Sequence, residues 1–241
     1  MIQALQIISS MATKQLLVDL IELYQKTQHT SQRNANPGSQ ANEIALESAG
    51  GVDAAKRVQT GEAFDIVALA SGAIEQLITA GKIVAGSRVD IVNSGVAVAV
   101  KSGTTHPDIS TEAAVKLAVL NAPTVGYSTG PSGVQLAKLF ERWDIAEQIR
   151  SRIVTAPPGV PVGSLVAKGE VALGFQQLSE LTNQPGIDVL GPLPPAIQIT
   201  TTFSAGLAAT STQPEAVRAL LAFFGSPQTV DVKRRNGMEA V

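Results

Sequence analysis

Short apolar, β-branched runs alternate with helical patterns along the whole chain, and that alternation restricts the fold more than any other feature. Ala4–Ile8 reads as a strand, after which Leu16, Leu17, Leu20, Ile21 and Tyr24 recur at helical spacing. Gln28–Ala41 is polar, contains Asn36-Pro37-Gly38 and reads as a loop. Glu43–Leu46 is a short strand, Asp53–Gln59 a short helix stopped by Gly61, and Asp65–Ala70 a buried strand. Ile74, Leu77 and Ile78 mark a helix ending near Gly81. Val96–Val100 is a strand, and Glu112–Leu120 a helix capped by Ser110 or Thr111. Thr124–Tyr127 is a strand, followed by a helix over Ser132–Trp143 with Val134, Leu136, Leu139 and Phe140 as its core face. Ile153-Val154, Val171–Phe175, Ile187–Leu190 and Thr200–Ala209 read as strands. Helices are predicted over Val162–Lys168, Pro214–Phe224 and Pro227–Arg235. Such alternation builds parallel sheets with helices on both faces. Two sets of strands in 241 residues predict an α/β fold of two lobes, each a mainly parallel sheet flanked by helices.

Composition narrows the function. Charged residues make up 16% of the chain, against about 25% in an average soluble domain, and hydrophobic residues 44%. That excludes a disordered chain. With 18 Lys+Arg against 20 Asp+Glu, no basic excess exists to displace counterions from nucleic acid. The absence of Cys removes thiolate metal sites, iron–sulfur clusters and a thiolate nucleophile together. No segment approaches the roughly 18 apolar residues of a membrane span. The N-terminal run lacks a basic region and ends at Ser9 and Ser10, so it does not read as a secretory signal.

The turns that follow the strands carry the chemistry. In open α/β sheets, ligands bind beyond the carboxyl ends of the strands. Those positions here hold Ser9-Ser10, Ser48-Ala49-Gly50-Gly51-Val52, Ser71-Gly72 and Ser128-Thr129-Gly130-Pro131-Ser132-Gly133. Glycine lets the backbone approach a ligand, and free N–H groups at a helix start face it with partial positive charge. Several such turns together make a neutral site for an oxyanion. Each turn alone is equally an N-cap or tight turn. Gln176-Gln177 follows an apolar strand; the two amides either reach a ligand, cap the helix near Ser179-Glu180, or face solvent.

Other chemistries fit less well. Gly126-Tyr127-Ser128-Thr129-Gly130 matches the G-x-S-x-G elbow of serine hydrolases, but both histidines, His29 and His106, precede Ser128 and sit in polar loops as solvated residues. No clustered metal-ligand pattern accompanies either His. No cofactor is predicted: Ser128 stands where a dinucleotide fingerprint needs its second glycine, and no Walker lysine follows a glycine-rich loop. Lys233-Arg234-Arg235 reads as a solvated face at a helix C-terminus.

The order of these motifs resembles the molybdate-binding-protein-like branch of the periplasmic solute-binding proteins. The resemblance spans nearly the whole chain. It rests on Ser9-Ser10, on GGVDAAKRVQTGEAFDIVALAS from Gly50 to Ser71, on TVGYSTGPSGVQLAKLFERWDI from Thr124 to Ile145, and on VALGFQQLSEL from Val171 to Leu181. It implies a type II periplasmic-binding-protein fold, with lobe one over 1–94 and 199–241 and lobe two over 95–198. The crossings are expected near Ser94-Gly95 and Gln198–Thr200, with hinge closure on a small anion in the cleft. By this resemblance Ser10, or Ser9 in its place, is the first donor. Ser48 with the N–H groups of Gly51 and Val52 is the second, and the turn at Gly130 and Ser132 the third. Ser71 belongs to the same set, and Gly159–Val162, with Val160, supplies a further N–H. Family members that bind molybdate place a Tyr after the late lobe-two strand, where this chain has Gln177; the amide pair suits carboxylate or carbonyl groups as well.

Two classes of function follow from the resemblance. One is a monomeric binding protein that delivers a molybdate- or tungstate-like oxyanion or an organic acid to an ABC importer permease. It is periplasmic by resemblance; cytoplasmic is the alternative, because no signal is legible. The other is an isomerase on the same scaffold, resembling aconitate isomerase, which needs a base to move a proton beside a carboxylate. Glu180, Glu47 and Tyr127 are candidates, each also readable as a surface or capping residue.

Overall fold

The computed structural model describes residues 4–35, 43–157 and 159–241, the first helix from residue 29 onward by its backbone. In chain order the elements are β1 (Leu5–Ser10), α1 (Lys14–Ala35), β2 (Ile44–Ala49), α2 (Gly51–Gln59), β3 (Ile66–Ala70), α3 (Ser71–Thr79) and β4 (Val89–Lys101). There follow α4 (Glu112–Asn121), β5 (Val125–Ser128), α5 (Pro131–Arg142), α6 (Ala146–Ile149), β6 (Ile153–Ala156), α7 (Val162–Lys168), β7 (Leu173–Gln177) and α8 (Leu178–Leu181). The chain ends with β8 (Ile187–Pro192), β9 (Thr200–Leu207), α9 (Pro214–Phe224), α10 (Val230–Arg235) and β10 (Glu239–Ala240). It divides into two compact units, Met1–Asn93 with Thr202–Val241, and Ser94–Thr201.

In the first unit, β1 lies between β2 and β3 and is parallel to both, and β9 runs antiparallel to β3. Alternation along β1 sorts its side chains. Leu5 and Ile7 enter a core with Leu16, Leu17 and Leu20 of α1 and Val217, Leu220, Leu221 and Phe224 of α9. Ile8 turns to the opposite face and packs with Ala54, Val58, Ile74 and Leu77 of α2 and α3. Successive residues of this strand therefore serve different layers, and the same holds for Ser9 and Ser10 beyond them.

In the second unit, β5 lies between β6 and β7 and is parallel to both, while β4 and β8 join antiparallel. One face buries Val96, Val98 and Phe175 against Val115 and Val119 of α4 and Leu136, Leu139 and Phe140 of α5. The other buries Val162, Leu165 and Val166 of α7 with Val171. Thr111 is the N-cap of α4, its side chain accepting from the Ala114 N–H at 3.1 Å. The Trp143 Nε1–H donates to Glu112 Oε1 at 2.6 Å, tying the end of α5 to the start of α4.

Several sequence expectations need correction. The stretch read as a loop from Gln28 is helical as far as Ala35. Polarity alone does not end a helix, and the first Pro and Gly come only at 37 and 38. That remainder of the loop, with Asn36-Pro37-Gly38, lies outside the described residues. Val134 is 49% exposed rather than in the core. It stands two residues before Leu136, about 200° around the helix from the face that Leu136, Leu139 and Phe140 share. β4 runs over 13 residues, far beyond Val96–Val100. β7 ends at Gln177, so Gln176 and Gln177 belong to the strand rather than following it. Lys233 is buried, and only Arg234 and Arg235 of that basic run are exposed. Val232 and Lys233 face inward together in a helix that packs on α1.

Candidate functional site

The carboxyl edge of the first unit's sheet gathers one set of expected residues. Ser9 pairs in register with Ser48 and Ser10 with Ala49, and Ser9 lies opposite Ala68 on β3. The turns after β1, β2 and β3 therefore end at one level. The Ser9 and Ser48 hydroxyls are 2.7 Å apart, and Ser9 Oγ–H also reaches the Ser10 carbonyl at 3.2 Å. Ser9 is fully buried, its hydroxyl engaged within the sheet. Ser10 is on the other face, that of Ile8, and its hydroxyl lies 3.2 Å from Thr13 Oγ1.

Ser10 also meets the start of α2. A methyl built on Gly51 would sit 3.8 Å from Ser10 Cβ. The N-cap of α2 is Gly50, and no side chain caps it; the first intrahelical bond is from Ala54 N–H to the Gly50 carbonyl at 2.8 Å. The N–H groups of Gly51, Val52 and Asp53 precede that bond and are the orphan donors of the helix start. The Gly51 and Val52 residues are exposed, Val52 to 61%. The start of α3 at Ser71 is built alike, with Ala70 as N-cap and no side-chain cap. Of the first-unit residues, Ser10, Gly51, Val52 and Ser71 thus present groups at helix starts, and Ser9 and Ser48 fasten β1 to β2 beneath them.

The second unit repeats the arrangement. Ser128 pairs with Ala156, and Gly126 with Gly174; two residues further along the parallel register, Ser128 comes level with Gln176. The turn from Ser128 into α5 has Gly130 as N-cap without a side-chain cap, Pro131 at the first helical position and Ser132 buried in the first turn. Gly133 fixes its shape: a methyl there would lie 1.7 Å from the Ser128 carbonyl oxygen, so only hydrogen fits. No Arg or Lys occurs in this turn or in the three turns of the first unit.

Three expected contributors of the second unit already have partners. The Val160 N–H donates to the Pro157 carbonyl at 3.0 Å, closing a turn, and is not free to meet a ligand. Gln176 and Gln177 are both buried, excluding the solvent-facing reading, and alternation sends them to opposite faces. Gln176 Oε1 accepts from the Gly163 N–H at 3.1 Å. Gln177 Nε2–H donates to Thr201 Oγ1 at 2.9 Å, while its Oε1 is buried and, among the described residues, without a partner. The Ser94 hydroxyl, in the same unit, is in the same condition. The contacts of Gly163 and Thr201 have no signal in the sequence, because each is made with a side chain distant in the chain.

The bacterial extracellular solute-binding protein family matches residues 5–239. The chain belongs to that family. Aconitate isomerase from Pseudomonas sp is 38% identical to this solute-binding-family chain over 188 residues, covering 77% of the chain and 71% of the relative. The Azotobacter vinelandii periplasmic molybdate-binding protein superposes with a TM-score of 0.74 at 16% identity, over 97% of this chain and 98% of that one. The sulfate-binding protein SubI from Mycobacterium tuberculosis H37Rv gives 0.75 at 16% identity, over 99% and 87%. The fold is that of the type II periplasmic binding proteins.

The ionisable groups of this family member separate clearly. Glu47 is exposed and ion-paired with Arg57, whose hydrogen bonds hold its carboxyl below the usual range. Burial pushes the Tyr127 phenol further up, away from neutrality. Burial also raises Glu180, to about 7, against the opposing hydrogen bond from Gln176. His106, expected as a solvated loop residue, is exposed but joins Asp188 Oδ2 at 3.0 Å. The His29 side chain lies outside the description. Lys233 has its amine pushed down by desolvation. Among the described residues, no group of His, Asp and Glu could hold a metal ion, and no helix is long and apolar enough to cross a membrane. A cavity of about 740 Å³ lies between the amino ends of β5 and β7 and α4, lined by Leu117, Ala118, Pro123, Ala172 and Leu173 with Lys101 at its rim. It stands at the opposite edge of the sheet from the donor turns and is separate from them.

Proposed function

We propose that the chain binds a small anion, a molybdate-like oxyanion or an organic carboxylate, through the donors of its strand-end turns: Ser10, Ser71 and the N–H groups of Gly51 and Val52 in the first unit, above the Ser9–Ser48 pair, and the Gly130–Ser132 turn in the second. The uncapped, glycine-lined starts of α2 and α5 carry this reading. They offer oriented N–H groups in turns that carry no Arg or Lys of their own, which suits an anion whose charge is spread over several acceptors. Delivery to an ABC-type importer follows as the role of such a binder. Purified protein screened by thermal shift against molybdate, tungstate, sulfate, phosphate, citrate and the aconitates tests it. A ligand at 100 times its Kd adds about 2.7 kcal/mol of stability. Ser10→Ala combined with Ser132→Ala loses about 1.5–3 kcal/mol of binding per hydrogen bond to a charged group. Unchanged affinity in the double variant would sink the assignment.

A second reading, isomerisation of a small unsaturated polycarboxylate, is favoured by two observations. One is the 38% identity to aconitate isomerase. The other is that, of the three carboxyl or phenol candidates for a base, Glu180 alone titrates near neutrality. Turnover of trans-aconitate followed by NMR separates this reading from binding alone.

A further inference from the structure

The second unit holds a cavity that the anion reading leaves unused. Its volume is about 740 Å³, within the range of about 300–1,000 Å³ that suits a small organic ligand. It stands at the amino ends of β5 and β7, away from the donor turns.

α4 builds one wall. Val115 and Val119 of this helix enter the core with Val98 and Phe175. Ala114, Leu117, Ala118 and Asn121 recur at the spacing of a second face, and all four line the cavity. The helix is therefore largely apolar on two faces, where packing on the sheet requires one. Leu117 is 58% exposed, so its side chain is given to the cavity and not to the core.

Polar groups fasten the walls around this apolar floor. Asp188 accepts from the Ser102 hydroxyl at 2.8 Å and from the Gly103 N–H at 3.2 Å, and His106 Nε2 lies 3.0 Å from its Oδ2. These contacts clamp the loop that follows β4. Arg152 donates to the Leu120 and Ala122 carbonyls at 2.9 and 2.5 Å, closing the end of α4. Thr124 Oγ1 accepts from the Ala172 N–H at 2.8 Å and donates to the Glu170 carbonyl at 3.2 Å, joining the segments that lead into β5 and β7. The walls are thus held before any ligand arrives.

One cation stands in this lining. Lys101, the last residue of β4, lies over Gly169, where a methyl would come 3.8 Å from its Cδ and 3.5 Å from its Nζ. Gly169 has φ +80° and ends α7, so glycine both suits the turn and leaves the lysine its path along the rim. Among the described residues no ion pair or hydrogen bond reaches the Lys101 ammonium. Asp108, the acid of the lining, already accepts from the Ser110 N–H at 2.8 Å.

We propose that this cavity is a second binding site, taken by an apolar monocarboxylic acid whose hydrocarbon body lies against Leu117, Ala118, Ala172 and Leu173 and whose carboxylate pairs with Lys101. An apolar body laid on that rim strips water from the ammonium, and a carboxylate on the same molecule supplies the counter-charge. An uncharged chain leaves the desolvated lysine without a partner, and an alkylammonium ion repels it.

The test is calorimetric titration of the whole chain with straight-chain alkanoates from hexanoate to decanoate, beside the alcohols and alkylammonium ions of the same lengths. Affinity for the acids is expected to rise about three- to fourfold per CH2 and to exceed that for the matching alcohol by about tenfold or more. Lys101→Met keeps the apolar stem and should remove the preference for the acid. Leu117→Gln should weaken every chain length by about tenfold. Both side chains are exposed, and circular dichroism checks that both variants fold. Alcohols or alkylammonium ions that bind as tightly as the acids overturn the inference, as does a preference for the acid that survives Lys101→Met. Alkanoate affinity lost in Ser10→Ala combined with Ser132→Ala, but kept in Lys101→Met, puts the acid at the donor turns; it overturns the cavity site and leaves the anion reading standing. No binding by any alkanoate also overturns the inference. The chain-length and head-group series use wild-type protein alone and decide the matter should a variant fail to fold.

Discussion

Gly133→Ala is the sharpest probe of the turn that opens α5. The added methyl would lie 1.7 Å from the Ser128 carbonyl oxygen and 3.1 Å from Tyr127 Cδ2. A relaxed carbon–oxygen contact is about 3.3 Å, so the turn must shift by roughly 1.5 Å relative to the helix. The obstructing atom is backbone, and no side-chain rotation relieves it. Overpacking of this kind costs about 1–3 kcal/mol, and this case belongs at the upper end. At this chain length each kcal/mol lowers the melting temperature by about 2–4 °C. Calorimetry should therefore show a fall of roughly 5–10 °C. The donors at Gly130 and Ser132 move with the turn, so affinity for the ligand found by thermal shift should fall as well. Gly72→Ala is the control: its methyl meets nothing within 4 Å, and in a helix the change gains about 0.5–1 kcal/mol. A Gly133→Ala protein melting within about 1 °C of wild type would refute the steric reasoning, because the backbone would then have an alternative path for Ser128.

Further measurements address the supports of each unit. Thr111→Ala removes the cap of α4 and should cost about 1 kcal/mol in urea unfolding, with Thr111→Ser restoring most of it. A double-mutant cycle on Ser9→Ala and Ser48→Ala should give a coupling of about 0.5–1.5 kcal/mol; additive effects would mean that the 2.7 Å contact fastens nothing. Glu180 makes a pH prediction. Its folded carboxyl keeps a proton up to about 7, whereas the unfolded one loses it near 4.5, so the native state binds more protons between those values. Its contribution is complete below pH 4.5 and fades as pH rises through 7, a loss of about 3 kcal/mol. Glu180→Gln should flatten that slope, and a slope equal to wild type would show that the carboxyl ionises freely in the folded protein.

The sequence made strands and helices readable wherever one physical signal governed them. Pro214 and Gly225 bound α9 as a helix-start proline and a stop glycine should, and the glycine- and serine-rich turns fall at the carboxyl ends of β1, β2, β3 and β5. Reading failed where pairing across the sheet decided the outcome. An apolar run suggests that β7 stops at Phe175, yet the ladder continues because Gln176 and Gln177 sit opposite Ala97 and Val96 of β4. Hydrophobicity reports what a side chain avoids, whereas strand length is set by backbone groups that need partners. The same distinction limits what could be read of the site. Helix-start N–H groups are dictated by local chain order and can be anticipated. Whether they stay free depends on neighbours: Val160 loses its N–H to Pro157, and Gly163 gives its own to Gln176. Glu180 depends on its surroundings in the same way: a glutamate soon after an apolar strand is ordinary as text, and it becomes a neutral-range acid because the fold withholds water from its carboxyl, an effect that Gln176 opposes rather than causes.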